Sequence, residues 1–327
     1  MEPSSTDLSN GAPISTGDDE EINISNLPQE PGWKVSVNLY KYQQFWYYNF
    51  ALKGIIQFQQ KFIPQPTDIF LVTAPKSGTT WLKALAFAIQ TRTQYINGDS
   101  DQDSPLLSKL PHEIVPFVEF IYVFGERRDP KIPLLSTHTP FHSLPKSVLN
   151  SDCKIIYLCR DPKDVLVSKY IFTSKHGDAE IIPFEEVYEK FCNGVSNCGP
   201  FWDQVLGYWN ASLEFPERVL FLKYEELKND TCFYVEKMAD FMGCGFSEDE
   251  EKHGMVEKIV ELCSFEKLSN LDVNKSSRGR NDLLTIGNEA FFRKGKVGDW
   301  KNYLTTEMAE RIDEITRRKF SGSGLHF

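Results

Sequence analysis

Residues 75–81 have the composition of an anion-binding loop. They read PKSGTTW and stand between an apolar run at residues 69–74, which predicts a buried strand, and a helical pattern. Free backbone N–H groups and the positive dipole end at a helix start attract anions, and Lys76 adds a full charge. The glycine lets the backbone approach a ligand closely. The run predicts a P-loop-like phosphate-binding loop, whereas PKSG alone would indicate only a turn with an exposed lysine.

The residue order in this loop differs from that of ATP-hydrolysing enzymes. In those enzymes the lysine follows the second of two glycines, whereas Lys76 precedes the single Gly78. A shorter loop contacts fewer phosphates, so a γ-phosphate with magnesium is not the expected ligand. The sequence contains no convincing aspartate cluster for Mg²⁺, and we expect no metal. A nucleotide kinase stays an alternative because strand–loop–helix anion sites occur in that class too.

A second strand–helix unit carries an arginine at a position where ligands bind. Residues 154–159 form an apolar run, Arg160 follows it, and Asp161 and Pro162 predict the N-cap and first turn of a helix. Open α/β sheets bind ligands at the carboxyl ends of their strands, and a guanidinium fork suits a phosphate. The alternative is a salt bridge from Arg160 to Asp161 or Asp164.

One histidine has the setting of a general base. His138 lies in the run LLSTHTP at residues 134–140, and a neutral imidazole near pH 7 can accept a proton from a hydroxyl. A lone histidine after a strand is more often a structural residue, so the residues alone leave both interpretations open. Of the other histidines, only His142 is close enough in sequence to compete.

Alternating strands and helices must position these groups. A third apolar run, residues 218–224, repeats the layout of residues 69–74 and 154–159. This alternation predicts a three-layer α/β/α fold with a central, mostly parallel sheet. The aromatic-rich segment at residues 33–62 predicts one or two short helices that pack onto the core.

The C-terminal part is predicted to be helical, with one loop. Ser247 and Glu250 form a capping box, which predicts one helix that continues to Cys263. Residues 305–319 predict a terminal helix. Residues 274–289 are polar and contain two arginines and two glycines, which predicts a mobile loop.

Acidic residues are concentrated at the N-terminus. The 327-residue chain has a net charge of −10, of which residues 1–30 carry −7 with no lysine or arginine. This composition predicts a disordered acidic tail at residues 1–30 and a nearly neutral single domain at residues 31–327. With so few excess basic residues, we expect no nucleic-acid partner.

The sequence also predicts a reducing, cytoplasmic location. It has no apolar run of the roughly 18 residues that a spanning helix needs and no N-terminal export signal, so no membrane partner is expected. The seven cysteines are odd in number and include no C-x-x-C pair. Free thiols are therefore the simplest interpretation.

Three motifs resemble those of the cytosolic sulfotransferases. Residues 75–81 (PKSGTTW) resemble the family's 5′-phosphosulfate loop, residues 160–168 (RDPKDVLVS) its 3′-phosphate segment, and residues 292–300 (FRKGKVGDW) its C-terminal motif. They occur in the family's order and spacing, and the resemblance covers about residues 30–327. The runs FFRKG and GSGL are most similar to the plant branch.

This resemblance implies a nucleotide donor with phosphate at both ends, 3′-phosphoadenosine 5′-phosphosulfate. The implied 5′ site is the loop from Lys76 through Ser77 and Gly78 to the helix start. Lys76 would neutralise charge on the bridging oxygen as the sulfuryl group leaves, and Thr79 and Thr80 would hold the 5′-phosphate. Positioning and electrostatics supply most of the catalysis in such transfers.

A second implied site holds the 3′-phosphate. Arg160 and Ser168 would bind it, and Arg293, Lys294 and Gly295 would close on it from a distant segment, although an RKGK run by itself is usually a solvated basic turn. Three aromatic residues would frame the adenine, and each could equally be a core residue: Trp81, Tyr224 and Phe265.

The resemblance also implies that His138 is the catalytic base, in the family's Thr-His-x-Pro context. The residues implied to line the acceptor pocket are Phe117, Phe120, Phe141 and Phe172. Such a pocket suits a flat ring. A flavonoid or phenol is favoured, and a brassinosteroid, a hydroxyjasmonate or a desulfoglucosinolate is the alternative. Many animal members have a lysine where this chain has Ser136; either Ser136 donates a weaker hydrogen bond or Lys76 carries more of the charge.

The leading hypothesis is therefore a sulfotransferase acting on a small hydroxylated acceptor. A nucleotide kinase and a nucleotide-binding protein without turnover are the alternatives. Thr306 stands where valine is usual in the family's dimer motif, which favours a monomer or a weak homodimer.

Overall fold

The computed structural model describes residues 22–96, 104–175, 179–275 and 287–327. Its strands are β1 (Gln29–Pro31), β2 (Asn38–Tyr42), β3 (Phe45–Tyr48), β4 (Ile69–Thr73), β5 (Leu134–Thr137), β6 (Lys154–Cys159) and β7 (Val219–Lys223). Its helices are α1 (Asn49–Lys61), α2 (Thr79–Tyr95), α3 (Pro111–Ile114), α4 (Val118–Phe124), α5 (Lys146–Leu149), α6 (Pro162–Ser174), α7 (Phe184–Cys192), α8 (Phe201–Glu214), α9 (Tyr224–Asn229), α10 (Thr231–Met242), α11 (Glu248–Lys252), α12 (Met255–Leu262), α13 (Phe265–Asn270), α14 (Asp272–Lys275) and α15 (Thr306–Phe320).

The central sheet has the strand order β5-β4-β6-β7, and all its neighbouring strands run parallel. Because parallel strands end at the same edge of a sheet, the residues that follow them meet there. The loop before α2 follows β4, His138 follows β5, Arg160 follows β6 and Tyr224 follows β7. The predicted α/β fold with a mostly parallel central sheet is confirmed.

Alternate side chains of the strands pack into two layers of core on opposite faces of the sheet. Phe70 and Ile155 pack in the cluster that includes α6, α8 and α15. Leu71 and Ile156 pack in the cluster that includes α2, α10 and α12. All four are buried, and burying each such side chain stabilises the fold by about 1.5–3 kcal/mol. The two core clusters therefore fix the position of the sheet edge at which the loops meet, one from each face of the sheet.

The aromatic-rich segment at residues 33–62 differs from its prediction of one or two short helices. Its first part is the antiparallel hairpin β2–β3, turned by Gln43 and Gln44 at positive φ, and β1 pairs with β2. Closely spaced aromatic side chains favour a pleated surface. Only α1 is helical, with Leu52, Ile55 and Phe58 on its buried face.

Two predicted boundaries are corrected by the structure. Strand β1 begins within the predicted disordered tail of residues 1–30, and its backbone is ordered there because it pairs with β2. Residues 1–21 of the predicted tail lie outside the described residues. The capping box at Ser247 is confirmed, but α11 ends at Lys252 and the left-handed Gly254 (φ 66°) separates it from α12. Residues 276–286 of the predicted mobile loop also lie outside the described residues. The terminal helix is confirmed, with Thr305 as its N-cap.

Candidate active site

One cavity of about 900 Å³ opens at the carboxyl edge of the central sheet. Most side chains that the sequence singled out line it, although they come from segments far apart in the chain. These are Lys76, Gly78, Thr79, Thr80, Trp81, Phe117, Phe120, His138, Arg160, Ser168, Phe172, Tyr224, Phe265, Arg293, Lys294 and Gly295. Ser77 and Phe141 are not among the lining residues.

The loop after β4 and the start of α2 border this cavity through Lys76, Gly78, Thr79 and Thr80. Gly78 has φ 113° and forms the N-cap of α2, and a Cβ at this position would lie 2.9 Å from the Tyr224 ring. Glycine is therefore required for both conformation and space. Ser77 is buried, and its Oγ has no hydrogen-bond partner among the described residues. An uncompensated buried hydroxyl is costly, but Ser77 is not among the residues that line the cavity.

Lys76 lies between two aromatic rings on the cavity wall. Its Nζ is 3.8 Å from the ring centroid of Phe172 and 5.7 Å from that of Phe291. Burial, and then the charges of Arg293 and Arg160, lower the pKa of Lys76 to about 7. An anion beside it would reverse the charge contribution and favour the ammonium form.

Arg160 is both a cavity residue and a member of an ion pair. It donates to Asp164 Oδ2 at 3.2 Å and to the carbonyl of Lys296 at 2.7 Å, and it stacks on Tyr224 at 4.4 Å. The salt bridge to Asp164 considered from the sequence is therefore present, whereas Asp161 pairs with another residue, Lys163. The Nε of Arg160 is buried without a partner among the described residues. Pairing with Asp164 fixes the position of the Arg160 guanidinium but leaves its Nε–H without a hydrogen-bond acceptor among the described residues.

Asp164 also holds the C-terminal motif in place. Its carboxylate accepts hydrogen bonds from the backbone N–H groups of Gly298 and Trp300, at 2.8 and 3.0 Å. The sequence suggested Asp164 only as a salt-bridge partner, because its contact with this distant segment forms only in the folded chain. Asp164 thus joins the two segments predicted to bind the 3′-phosphate.

The basic run at residues 293–295 is also preorganised. Asp299 pairs with both Arg293 and Lys294. Burial opposes ionisation of Asp299, but hydrogen bonds from Lys294 and Arg293 prevail and lower its pKa to about 2. At Gly295 (φ 60°) a Cβ would lie 2.5 Å from the ring of Phe265. This segment therefore packs closely onto Phe265, one of the three predicted adenine-binding aromatic residues.

His138 is held as an oriented, neutral imidazole. Its Nδ1–H donates to the carbonyl of Thr73 at 2.7 Å, so the lone pair is on Nε2. Its backbone N–H donates to Glu119 Oε1 at 3.0 Å, and Gln204 donates to its carbonyl at 2.7 Å. Burial is the main cause that lowers its pKa to about 3, aided by nearby lysine charges including Lys83. The arrangement leaves Nε2 able to accept a proton.

Ser136 does not contact the cavity. It is fully buried, and its Oγ donates to the carbonyl of Pro116 at 3.1 Å. The interpretation in which Ser136 donates to the transferring group is therefore wrong. Of the two interpretations of this position, Lys76 as the main positive charge remains.

The aromatic residues of the predicted acceptor pocket separate into two groups. Phe117 packs on His138 with ring centroids 4.8 Å apart and on Phe120 at 5.3 Å. Phe141 instead packs edge-on against Tyr208, at 5.5 Å, on the side of α8. It lies in the short helical turn Phe141–Ser143 that follows Pro140. The structure therefore does not place Phe141 among the residues that line the cavity.

Sequence reasoning also missed a second histidine of the cavity. His112, on α3, lines it, stacks on Phe117 with ring centroids 5.4 Å apart, and packs against Phe291 at 4.5 Å with the rings tilted by 47°. His142, which sequence distance favoured, is exposed outside the cavity. The one available signal was that His112 stands shortly before the Val-Pro-Phe run of the predicted pocket.

Metal clusters and membrane-spanning helices are both absent from the described residues. In residues 22–96, 104–175, 179–275 and 287–327, no group of three histidine, cysteine or acidic side chains could hold a metal ion. The same part of the chain contains no helix with the length and apolarity needed to cross a membrane. All seven cysteines are free thiols.

Comparison with known proteins gives a consistent result. Residues 66–324 match the family described as Sulfotransferase domain. A flavonol sulfotransferase-like protein of Flaveria bidentis is 48% identical over 94% of this chain and 99% of its own. A crystal structure of an Arabidopsis thaliana protein proposed to be a steroid sulphotransferase is 39% identical, with a TM-score of 0.71 over 97% of this chain and 100% of that one. A mouse sulfotransferase complexed with PAP is 25% identical, with a TM-score of 0.62 over 87% and 95% of the two chains.

Proposed function

The chain belongs to the sulfotransferase family, and we propose that it transfers a sulfuryl group to the phenolic hydroxyl of a flat aromatic acceptor, with a flavonoid favoured. It is an enzyme, and its sulfuryl donor is 3′-phosphoadenosine 5′-phosphosulfate. The kinase and turnover-free alternatives are therefore set aside. In the proposed reaction His138 is the catalytic base, and Lys76 stabilises the leaving oxygen.

The residues present fit this donor. The cavity has two cationic positions, Lys76 on one segment and Arg160 with Arg293 on others. One buried polar atom of a lining residue, Arg160 Nε, lacks a partner among the described residues. The mouse sulfotransferase complexed with PAP, which has the same fold, supports the same arrangement.

The adenine would bind between aromatic residues. The rings of Trp81 and Tyr224 are 5.6 Å apart at 69°, and Phe265 lies against Gly295 on the same side of the cavity. Two rings at this angle present one face and one edge, which suits an offset base. Ser168, on α6, is buried and lines the same cavity as Arg160. We assign these residues to the nucleoside and the 3′-phosphate.

The reaction needs a proton acceptor and a stabiliser for the leaving oxygen. The donor supplies an activated sulfuryl group whose departure leaves negative charge on a phosphate oxygen. The Lys76 ammonium stabilises that charge, as electrostatic stabilisation is often the largest catalytic contribution. His138 Nε2 accepts the hydroxyl proton while the sulfur–oxygen bond forms, and the Thr73 carbonyl stabilises the resulting imidazolium through Nδ1–H.

The aromatic surroundings of His138 and the similarity to a flavonol sulfotransferase-like protein carry the choice of acceptor. A phenol, with a pKa of about 10 as in tyrosine, is more acidic than an alkyl alcohol and gives up its proton more readily to a general base. The Phe117 ring packs on His138 with the ring centroids 4.8 Å apart at an interplanar angle of 43°, so aromatic surface borders the base where a planar acceptor would bind. The Flaveria relative supports a flavonol, and the Arabidopsis structure gives a steroid as the second candidate.

Three further properties complete this proposal. The chain acts in the cytoplasm, in line with its free thiols. It works as a monomer or weak homodimer, without nucleic-acid or membrane partners. The chain from β1 onward forms a single domain.

The acceptor is tested with labelled donor and a panel of hydroxylated compounds. The panel contains a flavonol, its fully O-methylated derivative as the matched control, a brassinosteroid, a hydroxyjasmonate and a desulfoglucosinolate. We expect kcat/KM to be highest for the flavonol by about tenfold or more, and no product from the methylated control. Highest kcat/KM for an acceptor that has only alkyl hydroxyls would show that the proposed acceptor class is wrong.

A further inference from the structure

A buried network connects the predicted phosphate-binding helix to the aromatic wall. Thr80 and Lys83 lie one turn apart on α2 and face His112 on α3. His112 Nε2 is 3.0 Å from Thr80 Oγ1, and His112 Nδ1 is 3.0 Å from Lys83 Nζ. The imidazole therefore links a fully buried lysine to a hydroxyl of the cavity.

Lys83 determines which nitrogen of His112 carries the proton. Its Nζ donates to the carbonyl of Val115 at 2.9 Å and lies 3.5 Å from the ring centroid of Phe117. Burial lowers the pKa of Lys83 well below its ordinary value, and the charges of Glu126 and Glu119 oppose this shift. With His112 Nδ1, the Val115 carbonyl and the Phe117 ring give three acceptors for the three N–H groups of an ammonium, which stabilise the charged form against burial. A lysine that donates to Nδ1 requires the lone pair there, so the hydrogen of a neutral His112 is on Nε2.

His112 is held in this neutral form. Burial, followed by the positive charges of Lys83 and Lys76, lowers the pKa of His112 well below its ordinary value. Its Nε2–H then donates to Thr80 Oγ1. The ring is also fixed because it stacks on Phe117 and packs at a tilt against Phe291, so the donor direction is constrained by packing as well as by hydrogen bonds.

The consequence concerns the proton of the Thr80 hydroxyl. Within the part of the chain that the structure describes, His112 is the one hydrogen-bond partner of this hydroxyl. Because the oxygen accepts from His112, its own hydrogen is free to point into the cavity. We infer that His112 is a positioning residue that orients the Thr80 hydroxyl to donate to the 5′-phosphate of the sulfuryl donor. This inference rests on the proposed donor-binding role of Thr80.

The two histidines of the cavity thus have opposite assignments. His138 has Nδ1–H bound to Thr73 and a free Nε2, which suits a base. His112 has both nitrogens occupied by Lys83 and Thr80, which excludes it as a base for the acceptor. Thr80 and its neighbour Thr79 are therefore linked to different histidines. The Oγ1 atom of Thr79 is hydrogen-bonded to Thr73 Oγ1, and Thr73 Oγ1 is in turn 3.3 Å from His138 Nδ1.

A double-mutant cycle tests this assignment. The variants are Thr80→Val, His112→Phe and their combination, and the measurement is the affinity for PAP by calorimetry together with kcat and both KM values. His112→Phe keeps an aromatic ring against Phe117 and removes only the polar atoms. The control is His142→Phe, which alters an exposed histidine outside the cavity.

We expect Thr80→Val to weaken PAP binding by about tenfold or more, the size of one hydrogen bond to a charged group. His112→Phe should weaken it several-fold with acceptor KM unchanged, and the double variant should bind PAP no more weakly than Thr80→Val. His112→Gln, whose amide can accept from Lys83 and donate to Thr80, should restore most of the affinity. His142→Phe should match the wild type.

Three results would overturn the inference. Additive losses in the double variant would mean that His112 acts through packing alone. An unchanged affinity in His112→Phe would mean that Thr80 needs no orientation. No loss in Thr80→Val would remove the hydroxyl from the donor site, and would also contradict the proposed 5′-phosphate contact. The proposed acceptor fails separately, through the product assay on the wild type. If His112→Phe does not fold, the same cycle is made with His112→Gln and His112→Asn, where only Gln should retain the coupling.

Discussion

The donor end and the acceptor end of the cavity are built from different interactions. At the donor end, Arg160 is fixed by Asp164 and Arg293 by Asp299. At the acceptor end, the walls are phenylalanine rings that pack on one another and on His138. Ion pairs and hydrogen bonds have fixed directions, whereas ring contacts mainly require flatness and size. The directed ion pairs and hydrogen bonds therefore restrict which donor can bind. The ring contacts restrict the acceptor less, so replacing one ring can change which acceptor the protein prefers.

Lys76 lies at the border between these two ends. Unlike Arg160 and Arg293, it has no carboxylate in an ion pair within the described residues, and its ammonium rests on Phe172. Its positive charge is therefore not compensated by the protein itself. The donor would supply the compensating charge, which makes Lys76 responsive to pH in a way that an arginine is not.

The largest effect is expected where the two ends meet, at the base. His138→Ala should lower kcat by about 10³-fold, within the range for loss of general-base catalysis, because no other neutral imidazole nitrogen of the described cavity is free. PAP affinity should stay within about twofold, since it is determined at the donor end. Steady-state kinetics and calorimetry measure the two quantities. His142→Ala is the control, and a kcat within tenfold of wild type for His138→Ala would contradict the assignment.

A smaller effect should distinguish Lys76 from the arginines at the donor end. The pKa of Lys76 without ligand is about 7, and a bound phosphate raises it. Above pH 7, binding must then take up a proton, so the Kd for PAP should rise by up to about tenfold per pH unit between pH 7 and 9. Titrations at several pH values measure this slope.

The matched variant for this experiment is Lys76→Met, which keeps a long side chain against Phe172. It should bind PAP more weakly at pH 7, and its Kd should lose the rise between pH 7 and 9. A slope that persists in Lys76→Met would assign the proton uptake to another group, and the comparison between lysine and arginine would not hold.

The smallest effect is expected at the acceptor end. Phe120→Leu should raise acceptor KM about two- to tenfold, the range for losing one aromatic pair, with PAP affinity unchanged. Phe141→Leu removes a ring of the same type that packs on Tyr208 outside the cavity, so it should leave acceptor KM unchanged and lower only the Tm. Kinetics and thermal unfolding measure both. Equal KM changes in the two variants would show that the ring contacts act through stability and not through the pocket.

The donor loop and the arginine after β6 could be predicted because their structure is local. A strand, a Gly-containing loop and a helix start are contiguous, and Asp161 accepts from the N–H of Lys163 as the N-cap pattern predicts. Pairings over longer distances could not be predicted. The contacts of Asp164 with Gly298 and Trp300 join remote segments, and the hairpin β2–β3 depends on strand partners.

The sequence by itself determined the anion-binding motifs, the buried strands and the charges, because short-range hydrogen bonding and hydrophobic periodicity encode them. Only the tertiary structure decided that Phe141 faces α8, that His112 and not His142 lines the cavity, and which nitrogen of each histidine is free. Those outcomes depend on which face of a turn or helix packs against the sheet, and that is determined by contacts between residues far apart in the chain.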